Sequence, residues 1–167
     1  SITTGDGVKG IYPWGAQLEA ASFPSSYIPT TTASVTRPAD IPLIDISAYS
    51  PAITYPLTMY ARFERVVDTG GDETFLQVDA GGSNNRCSIR INGTGDTLRA
   101  LSRDGVTAGD SDVVGAVALN VNARGAGRIA ANDLMAARAG VLGTLDTSAG
   151  MPSSPTTIRL GLDNSGN

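Results

Sequence analysis

Short runs of period-two alternation, punctuated by Gly, Asn and Asp, fill residues 41–162 and leave the chain little option but antiparallel sheet. In LTMYARFERV (57–66), Leu57, Met59, Ala61 and Phe63 alternate with Thr58, Tyr60, Arg62 and Glu64. An extended backbone then carries one apolar and one polar face. ETFLQVDA (73–80) and RCSIRI (86–91) obey the same logic, with Cys87, Ile89 and Ile91 opposite Ser88 and Arg90. NGTGD (92–96) is a Gly-containing loop of hairpin length leading to TLRALS (97–102), and Asp104-Gly105 is a further turn signal. DVVGAVALNVNA (112–123) places Val113, Gly115, Val117, Leu119 and Val121 on one face. TTIRLGLD (156–163) points Ile158, Leu160 and Leu162 inward, with Thr157 and Arg159 on the other face. RIAANDLMAARAGVLGTL (128–145) fits either a helical turn or two, or strand, hairpin, strand; strands are favoured because a lone helix needs a packing partner. Short strands at this spacing predict an all-β fold, a β-sandwich of jelly-roll type.

With 41% hydrophobic residues the chain of 167 can bury a core. Its single cysteine, Cys87, excludes an intrachain disulfide and reads as a small apolar strand residue. No apolar run approaches the roughly 18 residues of a membrane span, so no membrane insertion is expected. The start, SITTGDGVKG, has no basic and apolar signal-peptide regions and no initiator Met, which suggests a fragment of a longer protein. Net charge is −4, Lys9 is the only lysine and the arginines are scattered. That balance disfavours nucleic acid, which calls for clustered cations and stacking motifs.

Residues 1–40 differ from the rest. Pro13, Pro24, Pro29 and Pro38 recur too often for a central strand, although IYPWGAQLE (11–19) suits one edge strand. The only Trp, Trp14, also lies here, with Leu18, Phe23, Tyr27 and Ile28. Large side chains in a Pro-stiffened path predict a docked connector, in which these five pack between modules and hold a fixed geometry. The expected organisation is a strand and connector over 1–40, then a sandwich over 41–167.

WGAQLE (14–19), SYIPTT (26–31) and TRPAD (36–40) together resemble a segment that recurs in tail-fibre, tail-spike and other virion-surface proteins of tailed bacteriophages and prophages. There it ends one sandwich module and leads into another of concanavalin-like, laminin-G-like jelly-roll class. MYARFERV (59–66) is similar to that family's early strand, and AANDLMAARAG (130–140) with MPSSPTTIRLGLD (151–163) to its late hairpin and penultimate strand. The chain departs from the pattern at Arg138-Ala139-Gly140, where the family has Asn-Gly, and at its end, where the family adds a strand. The resemblance implies a sandwich whose last strand is missing or supplied by a neighbouring chain. It further implies a virion location on tail or capsid surface, a homo-oligomer with a trimer favoured, and other virion proteins as partners.

Zero His excludes a Ser-His-Asp set, a Cys-His pair and any His-based zinc site. A sandwich glycosidase could use two carboxylates about 5–10 Å apart. The three Glu, however, are dispersed as Glu19, Glu64 and Glu73, and no Glu-x-Asp-x-Glu pattern puts two acids on one strand face. Glu64 is expected to be a solvated cross-strand partner of an Arg. Calcium is the plausible cofactor, with candidate ligands Asp68 and Asp72 in DTGGDE (68–73) and Asp104, Asp110 and Asp112 in DGVTAGDSD (104–112), although neither matches an EF-hand. For a glycan, Tyr60 beside Arg62 is the exposed aromatic candidate, and Asn84, Asn85 and Arg86 form a polar loop able to touch sugar. The expected function is a non-enzymatic virion module that binds host-surface carbohydrate or spaces a fibre; the alternative is a carbohydrate-active depolymerase domain.

Overall fold

The computed structural model describes residues 16–19, 26–30, 32–36, 41–48 and 53–161. The chain divides into two compact units, Ser1–Asp40 and Ile41–Asn167. The described residues of the second unit form an all-β sandwich with no helix. Its strands are β1 (Leu43–Asp45), β2 (Leu57–Glu64), β3 (Glu73–Asp79), β4 (Asn85–Asn92) and β5 (Thr97–Asp104). They continue as β6 (Ala108–Ala116), β7 (Asn122–Ile129), β8 (Met135–Arg138), β9 (Val141–Leu142) and β10 (Thr157–Leu160). One antiparallel sheet has the order β1-β10-β3-β4-β5-β6, the other β2-β7-β8-β9.

Alternation sets the core. Met59 of one sheet and Cys87, Ile89, Ile91, Leu98 and Val113 of the other are buried between them, with Ile129 and Leu134. Each large apolar side chain so placed contributes about 1.5–3 kcal/mol. Phe63 on β2 stacks on Phe75 on β3, ring centroids 3.7 Å apart, and so couples the sheets. Two polar residues on the inner face are satisfied locally. The Ser102 hydroxyl donates to Gly150 O (2.6 Å) and the Ser111 hydroxyl to Thr144 O (2.6 Å), fastening the chain after β9 against the six-stranded sheet.

Residues 128–145 are strands, as favoured. Ala139 (φ 49) and Gly140 (φ 83) close the β8–β9 hairpin with two left-handed residues, the geometry for which Asn-Gly is the usual solution. The run 112–123, by contrast, is not one strand. β6 ends at Ala116, Asn120 takes φ 57, and β7 starts at Asn122. Val113 and Val117 are buried while Leu119 and Val121 are exposed. The turn sits at Asn120 because Asn tolerates the left-handed region that β-branched neighbours avoid. Leu160, expected inward, is 45% exposed, since β10 ends there and Gly161 turns away at φ 71; Leu162 lies outside the described residues.

In the first unit, Ala16–Glu19 carry no strand, and the rest of the expected edge strand lies outside the described residues with Trp14 and Phe23. Leu18 is fully exposed, Tyr27 is exposed and Ile28 is half-buried. A polar clamp joins these pieces instead. Gln17 Oε1 accepts the Ile28 backbone N–H at 2.9 Å, so the amide of WGAQLE grips the backbone of SYIPTT.

Candidate functional site

The face of the six-stranded sheet turned away from the core is built of charge and amide. Register assembles it in rungs across β3, β4, β5 and β6: Thr74–Arg90–Arg99–Asp112, then Gln77–Ser88–Leu101–Asp110, then Asp79–Arg86–Arg103–Ala108. β10 adds Arg159 beside Gln77 and Thr157 beside Asp79. Several of these side chains are buried, Gln77, Ser88, Arg90 and Leu101 among them.

Fixed ion pairs hold the array in place. Arg99 grips Asp112 with Nε (2.8 Å) and Nη2 (2.7 Å), and its Nη1 lies 3.5 Å from Asp110. That hydrogen bonding holds the Asp112 carboxyl below the usual range, against the burial that would raise it. Asp79 is wholly buried and accepts from Arg159 Nε (2.8 Å), Gln77 Nε2 (2.9 Å) and the Gly81 N–H (2.8 Å). Burial pushes its carboxyl up, and these donors outweigh that, leaving it lowered.

At the end of this face the β2–β3 connection forms a cleft of about 810 Å³, walled by Arg65, Thr69, Asp72, Glu73, Arg86 and Arg90. Arg65 is the hub of its wall. Nε donates to Glu73 Oε2 (2.8 Å), while Nη2 reaches Glu73 Oε1 (3.0 Å), Asp68 (2.7 Å) and Asp96 (2.9 Å). Burial raises the Glu73 carboxyl, but Arg65 and the Thr69 N–H pull it below its ordinary value. Arg90, 5% exposed, pairs through Nη1 with Asp72 (2.8 Å). Its Nε, and the Ser88 hydroxyl one rung along, have no hydrogen-bond partner among the described residues. Buried donors without partners are costly, and Arg90 carries one of them in the wall of the cleft. Asp72 is positioned from behind by the Gly93 N–H (3.1 Å). The loops meet so closely there that a Cβ on Gly93 would lie 2.6 Å from Gly71 backbone carbon.

The five aspartates expected as calcium ligands are divided between other tasks. Asp68 and Asp72 go to Arg65 and Arg90, and Asp110 and Asp112 to Arg99. Asp104 accepts the Val106 (2.8 Å) and Thr107 (2.6 Å) N–H groups of the β5–β6 turn. Among the described residues no three acidic or thiol side chains gather to hold a metal ion. Asp110 and Asp112 lie in strand β6 and correct one expectation, being two acids on one strand face. Glu64 is exposed, as expected, but it accepts from the Asn122 amide (3.3 Å) and not from an Arg.

The glycan candidates fall on both sheets. Asn85 is tied to Ser153, donating to its O (3.0 Å) and accepting its N–H (2.9 Å), so it braces the β3–β4 turn. Asn84 shares a small hollow with Arg103 and Thr107, and Arg86 stands one strand away, opposite Arg103. Tyr60, 59% exposed, is on the outer face of the other sheet beside Ala126 and Ala137, over a shallow hollow of about 350 Å³. Asn84 and Arg86 thus line different hollows on the same sheet, and Tyr60 lies on the other sheet. Arg65, Arg90, Arg99 and Arg103 were not singled out from the sequence; the Arg-x-Ser-x-Arg spacing of 86–90 was the available signal, since period two puts both arginines on one face.

No protein-family model matches the chain, and a search of curated proteins found no match. Among solved structures, the chain is similar to the CBM40 of the Ruminococcus gnavus IT-sialidase, at 14% identity and TM-score 0.52, over 64% of this chain and 63% of that one. A second similarity, at 6% identity and TM-score 0.46, is to the carbohydrate-binding module CBM66 from Bacillus subtilis, over 62% of this chain and 66% of that one. The matched region spans less than two thirds of either chain. Likeness at this identity establishes the β-sandwich fold.

Proposed function

We propose that the Ile41–Asn167 unit is a non-catalytic carbohydrate-binding module that takes a glycan along the polar face of its six-stranded sheet. The observation that carries this is the cleft beside buried Arg90, where a pre-positioned guanidinium nitrogen and, one rung on, the Ser88 hydroxyl lack protein partners. Sugars present closely spaced hydroxyls, and an array of arginine, carboxylate and amide groups held by its own ion pairs offers them donors and acceptors without reorganisation. The likeness to a module titled CBM40 is in keeping with it. The state of two carboxylates supports the non-catalytic reading. A glycosidase acid must hold a proton near neutral pH, whereas Glu73 and Asp112 are held ionised by Arg65 and Arg99.

The wider setting is proposed from the connector. WGAQLE, SYIPTT and TRPAD support a place on a phage virion, on tail or capsid surface. There the module would be repeated in a homo-oligomer, a trimer favoured, beside other virion proteins, and multivalency would amplify weak single-site binding to host glycan. The decisive experiment is a glycan array probed with the whole chain, with Arg90→Gln, and with Tyr60→Ala as the control on the other sheet. Loss with Arg90→Gln at retained folding, with Tyr60→Ala unchanged, is expected. Loss confined to Tyr60→Ala would move the site to the four-stranded sheet, and no binding to any glycan would refute the proposal. Normal adsorption of virions lacking the protein would remove the host-binding role.

A further inference from the structure

The rung Arg86–Arg103 sets two guanidinium side chains directly opposite each other on β4 and β5, and Arg90–Arg99 repeats this four residues along the same face. Directly opposed like charges bring Cβ atoms within about 5 Å and destabilise a sheet. At Arg90–Arg99 the repulsion is answered by Asp72, Asp110 and Asp112. At the other rung Arg86 is partnered, its Nη1 donating to Gln77 Oε1 (3.4 Å), the neighbouring acid Asp79 is engaged by Arg159 and Gln77, and Ala108 faces Arg103 from β6. Arg103 has no ion pair or hydrogen bond among the described residues, and it lines the hollow with Asn84 and Thr107. The Ser88 hydroxyl, 1% exposed and without a partner, stands next to Arg86 on the same face.

We infer that this rung binds a carboxylate, so the glycan of the proposed binding strip is acidic, a hexuronic acid or similar carboxylated sugar placed with its carboxylate toward Arg103. A planar carboxylate matches the guanidinium fork in a bidentate pair. A guanidinium with no ion pair among the described residues, set against a like charge, gains most from such a ligand. The chain as a whole is acidic, with net charge −4. Whole-chain charge therefore does not favour a polyanion, and the affinity for an acidic sugar is assigned to the local arginines of this face. This inference rests on the proposed carbohydrate-binding function and adds the class of sugar.

The test uses isothermal titration of the whole chain with oligogalacturonate and with hyaluronan oligosaccharides, against their methyl esters and neutral cello- and malto-oligosaccharides. Expected is preference for a free carboxylate over its ester. Arg103→Gln should weaken carboxylate binding about 10- to 100-fold, the scale of a charge-assisted pair, while neutral sugars change less than about 2-fold. Arg103→Lys should recover only part, since it restores charge without the fork. The melting temperature of Arg103→Gln should be equal or slightly higher, because a like charge has left the rung. Equal binding of acid, ester and neutral sugar would overturn the inference and leave carbohydrate binding standing. Absence of binding to every sugar would overturn both. Affinity unchanged in Arg103→Gln, or a lowered melting temperature, would assign Arg103 a structural role and also overturn it.

Discussion

Replacing Arg65 by Met removes the guanidinium on which the cleft wall is hung, and its consequences can be worked through atom by atom. The Arg65 side chain is 2% exposed and its Glu73 partner 14%, so Glu73 loses two short bonds with little water to replace them. Asp68 and Asp96 are 46% and 34% exposed and resolvate, each costing less than about 1 kcal/mol. Breaking a buried pair from one side costs about 3–5 kcal/mol, and the partial exposure of Glu73 puts Arg65→Met near 3 kcal/mol, a fall of about 10 °C in a unit of this size. The pH dependence separates this cause from lost packing. In the native protein Glu73 is lowered, so its contribution is present above the unfolded carboxyl value of about 4.3 and is lost as pH falls through the folded value. In the variant Glu73 is buried without its partner and its pKa rises, so protonation relieves the variant first. Urea unfolding followed by circular dichroism should show a deficit near 3 kcal/mol at pH 7 that shrinks toward pH 4. Arg65→Met with Glu73→Gln should recover about half. A deficit below about 1 kcal/mol, one independent of pH, or a double variant worse than the single would refute the hub.

Cys87 is fully buried and its thiol is pushed up to about 12 by that burial, so it should resist Ellman's reagent at pH 8 and react only on addition of urea. Ala139→Asn places a residue tolerant of left-handed backbone at φ 49 and should stabilise the β8–β9 hairpin by about 0.5–1 kcal/mol, read as a raised melting temperature. Gly93→Ala drives a methyl toward Gly71 backbone and should cost about 1–3 kcal/mol; faster hydrogen exchange at residue 93 would report release of its bond to Asp72.

How far the sequence foretold the fold depended on how each stretch marks its ends. LTMYARFE and NRCSIRIN carry large apolar residues every second place, and their strands and faces came out as expected. DVVGAVALNVNA keeps the same period through its break, so its alternation does not mark it, and only Gly115 (φ 94) and Asn120 (φ 57) hint at it. In the connector the described residues show a contact that hydrophobicity does not mark. Size and hydrophobicity drew attention to Leu18, which is exposed, while Gln17 makes the bond that matters by offering an acceptor to an extended backbone. Amide clamps of this sort leave no periodic trace.

The site was half legible for a reason that lies in sheet geometry. Period two along β4 puts Arg86, Ser88 and Arg90 on one face, which the sequence reveals by itself. Which residues stand beside them depends on register, and a shift of one residue would have sent Arg99 and Arg103 into the core and Leu98 and Ala100 outward. The buried apolar set of β5 forbids that shift: Leu98 and Ala100 are both wholly buried against the opposite sheet. Packing on the inner face thus enforces two arginine–arginine rungs on the outer one, at a cost that core burial can carry. The acids near Arg90 and Arg99 reduce that cost at one rung. At Arg86–Arg103 no acid pairs with Arg103 among the described residues, so an anionic ligand at that end of the strip would supply the counter-charge that the fold does not.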